Sequence, residues 1–343
     1  MNPRKVQPSD FPTLGTIEDQ IGFILNFAVI APSTHNTQPW LFKLEGNICK
    51  IFIDRKYLLP EADREGRDLY ISMGCMFENL IIAGNYFKVL VSLDVTLQDQ
   101  NNEQIAEVVF QENKSGEVDT TSARAFEAMR IRINARGIFA NQSVNSGAKN
   151  SLTAIADSFS TKGISLSLLE DKNDILTIAS LTKQGLMSAY KRKSFRREMS
   201  GWMNSNISRK KEGIPGYALK IPFFLSLIIP KLIRYKDIGK KLGILNERSI
   251  SSAPLVAIIT AKQNEPRTWI DIGTMVEKMF IEMYAQGYQT SIFVASIEMG
   301  EYYKDIQNLI KTEDRPQFLF IVGKVDSLHK VTPRHNLADK LIK

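Results

Sequence analysis

The sequence predicts an α+β protein built as two halves, each with helices packed against a mostly antiparallel or mixed sheet. Three observations carry this. Stretches with apolar residues at helical spacing recur along the chain. Short runs rich in Val, Ile, Leu and Phe alternate with them. After a small, polar stretch from Asn113 to Arg124 the order of elements starts again, which suggests a repeat that identity between the halves is too low to prove.

The elements follow in order. Thr16 opens T-I-E-D, a capping-box pattern with Asp19 in place of the usual Glu. Ile17, Ile21, Ile24, Leu25 and Ala28 then keep helical spacing, and Pro32 is expected to end the helix. WLFKLEGNICKIFIDR, from Trp40, reads as a hairpin turning at Gly46-Asn47. DLYISMGCMFENLIIAGNYF reads as a long buried helix. FKVLVSLDVTL and QIAEVVFQE read as strands, with QDQNNEQ as the loop between them. The linker at 113–124 sets the halves at 1–118 and 119–343. In the second half, SLTAIADSFSTKGISLSLLED reads as helix then strand, and ILTIASLTKQGLMSAYKR and FRREMSGWM as helices. PLVAIITAK is a strand, WIDIGTMVEKMFIEMYAQGY a long helix and PQFLFIVGKVD a strand.

Composition bounds the function. Of 343 residues, 43% are hydrophobic and 24% charged, as in an ordinary globular protein with a sizeable core. Cys49 and Cys75 make no disulfide framework, and His35, His329 and His335 are too scattered for a metal site. MNPRKVQPSDFPTLG has no apolar segment before a small-residue cleavage site, so a cytoplasmic location is expected. IPFFLSLIIPKLI, from Ile221, is too short for a bilayer and is broken by Pro222, Pro230 and Lys231. It reads as a buried or lid helix, without stable membrane insertion. The formal charge is +7, clustered at 191–197, at 209–211 and from Lys231 to Lys241. No RNA-binding or zinc-finger signature and no aromatic-and-basic stripe goes with it, so no nucleic-acid partner is expected. A solvated helix face explains most of this charge, and a small anionic ligand is the next reading.

Two short stretches carry chemistry. IAPSTHNTQPW (30–40) crowds hydrogen-bonding groups into one turn-forming segment. RIRINARGIFANQ, from Arg130, contains R-x-N-x-R as Arg132, Asn134 and Arg136. Paired guanidinium groups beside an amide suit a phosphate and a neighbouring polar ring. Read alone, the spacing is weak, and an exposed basic strand or turn is the preferred reading.

Together the two stretches resemble the flavin site of the nitroreductase superfamily. There, R-x-S-x-[KR] from one subunit grips the FMN phosphate, and P-S-x-x-N-x-Q-P-W from the other closes the site across a two-fold interface. Here each motif occurs once, in opposite halves. The chain is similar to a nitroreductase dimer fused into one polypeptide, the twin-domain, Acg-like FMN-binding branch, with one of two sites retained. DREGRDLYISMGCMFENL (63–80), RREMSGWM with EGIPG, WIDIG with GYQTS, and TPRHNLADKL (332–341) resemble further family segments in order. Asp68 and Glu212 depart from the family pattern, and so does His335, which stands where an arginine is usual.

The resemblance implies a nitroreductase-like fold, an intramolecular pseudo-dimer and a single FMN. It places Ser33, Thr34 and Asn36 at the ribityl and phosphate, with Pro32 and Pro39 fixing the loop and Trp40 anchoring it. Arg132 and Arg334 would hold the phosphate, Asn134 would line the ribityl and Arg136 would sit near the N1/O2 edge. Ser291 and Ile292 would pass near the ring. No residue need be catalytic, since the flavin carries the chemistry; His35 stays open between a structural and a catalytic role. The implied activity is transfer from NAD(P)H through FMN to a small nitro, quinone or similar acceptor. The alternative is an FMN-binding or storage protein whose flavin is covered by a lid at 215–245.

Overall fold

The structure is a computed structural model that describes residues 2–97, 103–113 and 118–342. The first half contains helix α1 (Ile17–Ala28), strands β1 (Trp40–Glu45) and β2 (Ile48–Ile53), helix α2 (Arg67–Tyr86), and strands β3 (Leu90–Val95) and β4 (Gln104–Phe110). Its strands form an antiparallel sheet in the order β1-β2-β4-β3. After α3 (Thr120–Ile131), the second half runs α4 (Ser146–Asp157) and β5 (Ile164–Leu169). A helical insertion follows: α5 (Lys172–Lys191), α6 (Lys193–Trp202), short paired strands β6 (Met203–Asn204) and β7 (Ile214–Pro215), then α7 (Phe223–Tyr235) and α8 (Gly239–Ser252). The half closes with β8 (Leu255–Ala261), α9 (Pro266–Ala285), β9 (Gln289–Ile292), α10 (Ala295–Glu298), α11 (Tyr302–Ile310) and β10 (Arg315–Gly323). Its sheet is antiparallel in the order β5-β8-β10-β9.

The two sheets share one topology. β1, β2, β4 and β3 correspond in order to β5, β8, β10 and β9, with a 20-residue helix between the second and third strands of each half. Strands β8 and β10 lie inside their sheet and are buried along nearly all their length. That burial is why they read as continuous apolar runs instead of alternating ones. One core cluster runs from α1 and the first sheet through α2 and α9 to the second sheet.

Helices α2 and α9 cross at glycine on glycine. A Cβ on Gly74 would stand 2.1 Å from the Ile270 carbonyl oxygen, and one on Gly273 would stand 2.0 Å from that of Ile71. Neither position admits a side chain. The next residues interlock symmetrically: Cys75 Sγ donates to the Gly273 carbonyl at 3.3 Å and Thr274 Oγ1 to that of Gly74 at 3.4 Å. This contact holds the halves at a fixed angle and thereby shapes the cleft between them.

The predicted capping box forms, with Asp19 N donating to Thr16 Oγ1 and Thr16 N to Asp19 Oδ2. Helix α1 ends at Ala28, before Pro32 is reached. The predicted linker is corrected at its C-terminal end. Asp119 caps α3, which packs inward through Phe126 and Met129. Residues 114–117 of that linker, and 98–102 of the predicted loop QDQNNEQ, lie outside the described residues. The C-terminal segment crosses back to the first half. Phe42 N donates to the Lys340 carbonyl at 2.8 Å and Ile342 N to that of Phe42 at 2.7 Å. This arm brings Arg334 beside residues 30–36.

Candidate active site

A cleft lined from both halves consists of adjoining lobes of about 140, 190 and 170 Å³. Arg4, Arg132 and Arg334 line the first. Ile71, Phe280, Ile292 and Phe318 give the second an apolar wall, beside the polar Asp68, Ser72 and Asn134. Tyr190, Phe195, Met199 and Glu298 line the third. His35 and Arg136 border all three lobes.

The loop at 30–40 is strained and clamped. His35, Asn36 and Gln38 have φ of 52°, 57° and 53°, left-handed values that non-glycine residues adopt at a cost of about 1–3 kcal/mol each. Side chains hold them there. Asn36 Nδ2 donates to the carbonyls of Lys211, Gly213 and Pro333, and its Oδ1 accepts from Arg334. Gln38 Nε2 donates to the Lys211 carbonyl, and its Oε1 accepts from His335 N. The buried Lys340 ammonium donates to the Gln38 carbonyl at 2.7 Å. Burial pushes that ammonium's pKa down to about 8, against the pull of Asp54.

Positive charge is in excess in the first lobe. Burial is the main cause that lowers the Arg4 guanidinium to about 10, with Arg132 adding to it. Arg334 is lowered further, by burial first and then by Arg4 and Arg132. Glu277 pairs with Arg132 at 3.0 Å, yet burial pushes its carboxyl up to about 7. Three mutually repelling arginines therefore face one half-protonated carboxylate. The Nε atoms of all three are buried without a hydrogen-bond partner. Burial also lowers the Arg136 pKa, and among the described residues no ion pair or hydrogen bond to its guanidinium is found. His35 is held down to about 4, chiefly by burial, so it is neutral near pH 7. Glu298 is raised well above the carboxylate range by burial and then by Asp68. It lies at the wall of the third lobe with Oε1 3.8 Å from the Arg67 guanidinium and without a hydrogen bond.

Pro32, Ser33, Thr34, Asn36, Arg132, Asn134, Arg136, Ile292 and Arg334 all border the cleft. Their bonding differs from the expectation in four places. Asn36 is bound to backbone and to Arg334. Arg334 donates to Asn36, Thr332 and the carbonyls of Ile30, Ala31 and Pro333, so it clamps the loop. Ser33 Oγ accepts from Gln38 N, and Thr34 Oγ1 donates to Asp68. Ser291 does not line these lobes. Strand alternation turns its side chain into the core, where Oγ is unpartnered, while Ile292 faces the cleft. His335 lies outside the cleft beside Tyr57 and Glu212. Sequence reasoning missed Arg4, which follows no motif, and the apolar wall of Ile71, Phe280 and Phe318.

The expected lid contributes through its start. Ala218 and Leu219, with Ile214 just before them, line the first lobe. The Ile221–Ile233 stretch was expected to cover the site, but its Phe223 and Phe224 are exposed and line none of the three lobes. Among the described residues no group of His, Cys, Asp and Glu is placed to hold a metal ion.

Two like sheets around crossed helices, with a basic and apolar cleft lined from both halves, define an α+β protein of two-halved architecture. No family profile matches the chain. Segments of it match two proteins of Mycobacterium tuberculosis strain ATCC 25618 / H37Rv, both provisionally named NAD(P)H nitroreductases. Rv3131 is 33% identical over 73 residues, 21% of this chain and 20% of that protein. Acg is 31% identical over 65 residues, 19% and 20% of the two. The chain thus spans about a fifth of the length of the curated relatives it matches. Among solved structures, the FMN-dependent nitroreductase NfnB of Mycobacterium smegmatis in complex with NADPH aligns with a TM-score of 0.43. Identity is 16%, over 64% of this chain and 97% of that one. In these segments the chain is similar to proteins provisionally named NAD(P)H nitroreductases.

Proposed function

We propose that the protein is an FMN-dependent oxidoreductase that takes reducing equivalents from NAD(P)H and passes them to a nitro, quinone or similar acceptor, at a single site between its halves. The observation that carries this is the excess of positive charge in the first lobe, where Arg4, Arg132 and Arg334 meet the one paired carboxylate Glu277, with Arg136 bordering that lobe and the next, which has an apolar wall of Ile71, Phe280, Ile292 and Phe318. An isolated buried charge is too costly to keep without a partner. A ligand with a phosphate dianion at one end and a flat apolar ring at the other fits that distribution. FMN, when bound, supplies hydride transfer between the nicotinamide and the acceptor.

The chain's own residues then bind, orient and exclude water. Arg132 and Arg4 hold the phosphate. Arg334 acts through the loop it clamps. Arg136 would place positive charge beside the ring, and Phe280, Ile71 and Ile292 would line its apolar side. Glu298, its pKa raised well above the carboxylate range by burial and by Asp68, lies at the wall of the third lobe.

The test is direct. Purified protein should show flavin absorption, release close to one FMN per chain on heating, and oxidise NADPH when an acceptor is added. Failure to bind FMN ends the proposal. Two equivalents per chain end the single-site reading. Bound FMN without turnover leaves storage as the function.

A further inference from the structure

Helix α7 turns Ser226, Ile229 and Ile233 inward. Its opposite face carries Phe224, Leu227, Ile228 and Tyr235, all exposed, Phe224 at 81% and Tyr235 at 71%. The outer face of a surface helix ordinarily carries polar and charged residues. Here Lys231 is the charge on that face, between Ile228 and Tyr235. From Gly213 to Lys236 the sequence has no Asp or Glu, and its charges are Lys220, Lys231, Arg234 and Lys236. Beyond the single acid Asp237, Lys240 and Lys241, both exposed, extend the basic run.

We propose that the outer face of α7 docks the protein on the surface of an anionic lipid bilayer. An apolar face rimmed by lysine and arginine is the composition of a helix lying in the membrane interface. Phe224 and Ile228 would face the acyl chains, and Lys231 would extend its stem beside them to bring its ammonium to the headgroups. With 13 residues α7 cannot span a bilayer, and no helix among the described residues is long and apolar enough to do so. A second copy of the chain is the weaker occupant, because it would set the same predominantly basic surface against itself. Docking also has a consequence for the cleft. Ile214, Ala218 and Leu219, just before α7, line its first lobe, so the bilayer would lie near a wall of the site. If the oxidoreductase reading holds, this favours an apolar acceptor dissolved in the membrane; the docking itself does not depend on that reading.

Sedimentation of the full chain with lipid vesicles tests the proposal without reference to flavin. Binding is expected to vesicles of phosphatidylcholine mixed with phosphatidylglycerol, and not to phosphatidylcholine alone. It should be lost at about 1 M salt, where the screening length is about 3 Å. Each basic residue near the surface contributes about fivefold, so K231E/R234E should lower partitioning at least about twentyfold. F224E/I228E should abolish binding with the melting temperature unchanged, since both side chains are exposed. Should that variant misfold, K231E/R234E carries the test. No binding of the wild-type chain to the anionic vesicles, or binding undiminished in the variants, overturns the proposal. So does a wild-type dimer that F224E/I228E converts to a monomer with no vesicle binding by either.

Discussion

Arg136→Gln distinguishes an arginine kept for a ligand from one kept for packing, because the two roles change the ligand-free protein in opposite directions. Arg136 borders every lobe of the cleft, and burial lowers its pKa with no carboxylate opposing. A buried polar group left without a partner costs about 1–3 kcal/mol, and the cleft's access to water puts this one near the lower end, about 1 kcal/mol. Glutamine keeps most of the length and the polarity and removes the charge. The ligand-free variant should therefore melt about 1–2 °C higher than the wild type. FMN affinity should move the other way. Loss of one charge-assisted hydrogen bond is worth about 1.5–3 kcal/mol, a weakening of about tenfold to a hundredfold. Riboflavin should weaken equally, because Arg136 is assigned to the ring. Thermal melts of the flavin-free protein and fluorescence titrations with both flavins measure all three quantities. A lower melting temperature with unchanged FMN affinity would make Arg136 a packing residue and refute the reasoning.

Three further outcomes are expected. Arg132→Ala should weaken FMN about tenfold to a hundredfold and leave riboflavin almost unchanged; equal losses in parallel titrations would mean that Arg132 does not touch phosphate. Glu277 has its pKa raised from 4.5 to about 7, so the native state binds the proton more tightly than the unfolded chain and the stability it contributes is full below about 4.5 and lost as pH rises through about 7. Glu277→Gln removes that dependence, so in urea unfolding of the flavin-free protein the variant should gain on the wild type by up to about 1.4 kcal/mol per pH unit across that window; parallel pH curves would refute it. Asn36→Ala abandons three carbonyls and Arg334 and leaves alanine at a left-handed φ, which should cost about 2–4 kcal/mol and loosen FMN as well; a melting temperature within a degree of the wild type would show that the clamp is not needed.

The sequence made legible what is local and buried. Helix α1 with its cap, the β1–β2 hairpin, α2 and α9 follow from periodicity and turn chemistry, because each element's pattern lies within its own residues. Helix α3 was hidden by its polarity: TTSARAFEAMRI turns little more than Phe126, Ala128 and Met129 inward, and the stacking of Phe126 on Tyr86 is a tertiary contact. In the site, the residue types were legible and their partners were not. The amide of Asn36 reads as a ligand contact, yet it and the amide of Gln38 satisfy carbonyls at 211–213 and 333 and an amide at 335, all distant in sequence. Arg4 has no motif around it, and only the fold brings it to Arg132. The C-terminal arm pairs at a single bridge, Phe42 with Leu341, too short to leave a periodic signal.

The same asymmetry bears on why one site would serve two like halves. Helix α1 is followed by a one-turn 3-10 helix, Thr34–Asn36, and α4 by its counterpart, Ser160–Lys162. In the first and just past it, His35, Asn36 and Gln38 are held in left-handed conformations by side chains and by the arm from the other half. In the second, the left-handed position is Gly163, which adopts it without support. The basic residues follow the same division. Arg132 and Arg136 stand just before α4. Arg4 holds the corresponding place before α1, where strict two-fold symmetry would assign it to the opposite face. Instead its charge is felt by Arg334 and is answered by that of Arg132 and Glu277, so it belongs to the same cleft. Strain and unbalanced charge both oppose folding, and each persists only where a ligand or a clamp offsets it. Concentrating both at one of two equivalent positions leaves the other free of either, and this is the physical reason to expect a single ligand in a chain with two like sheets.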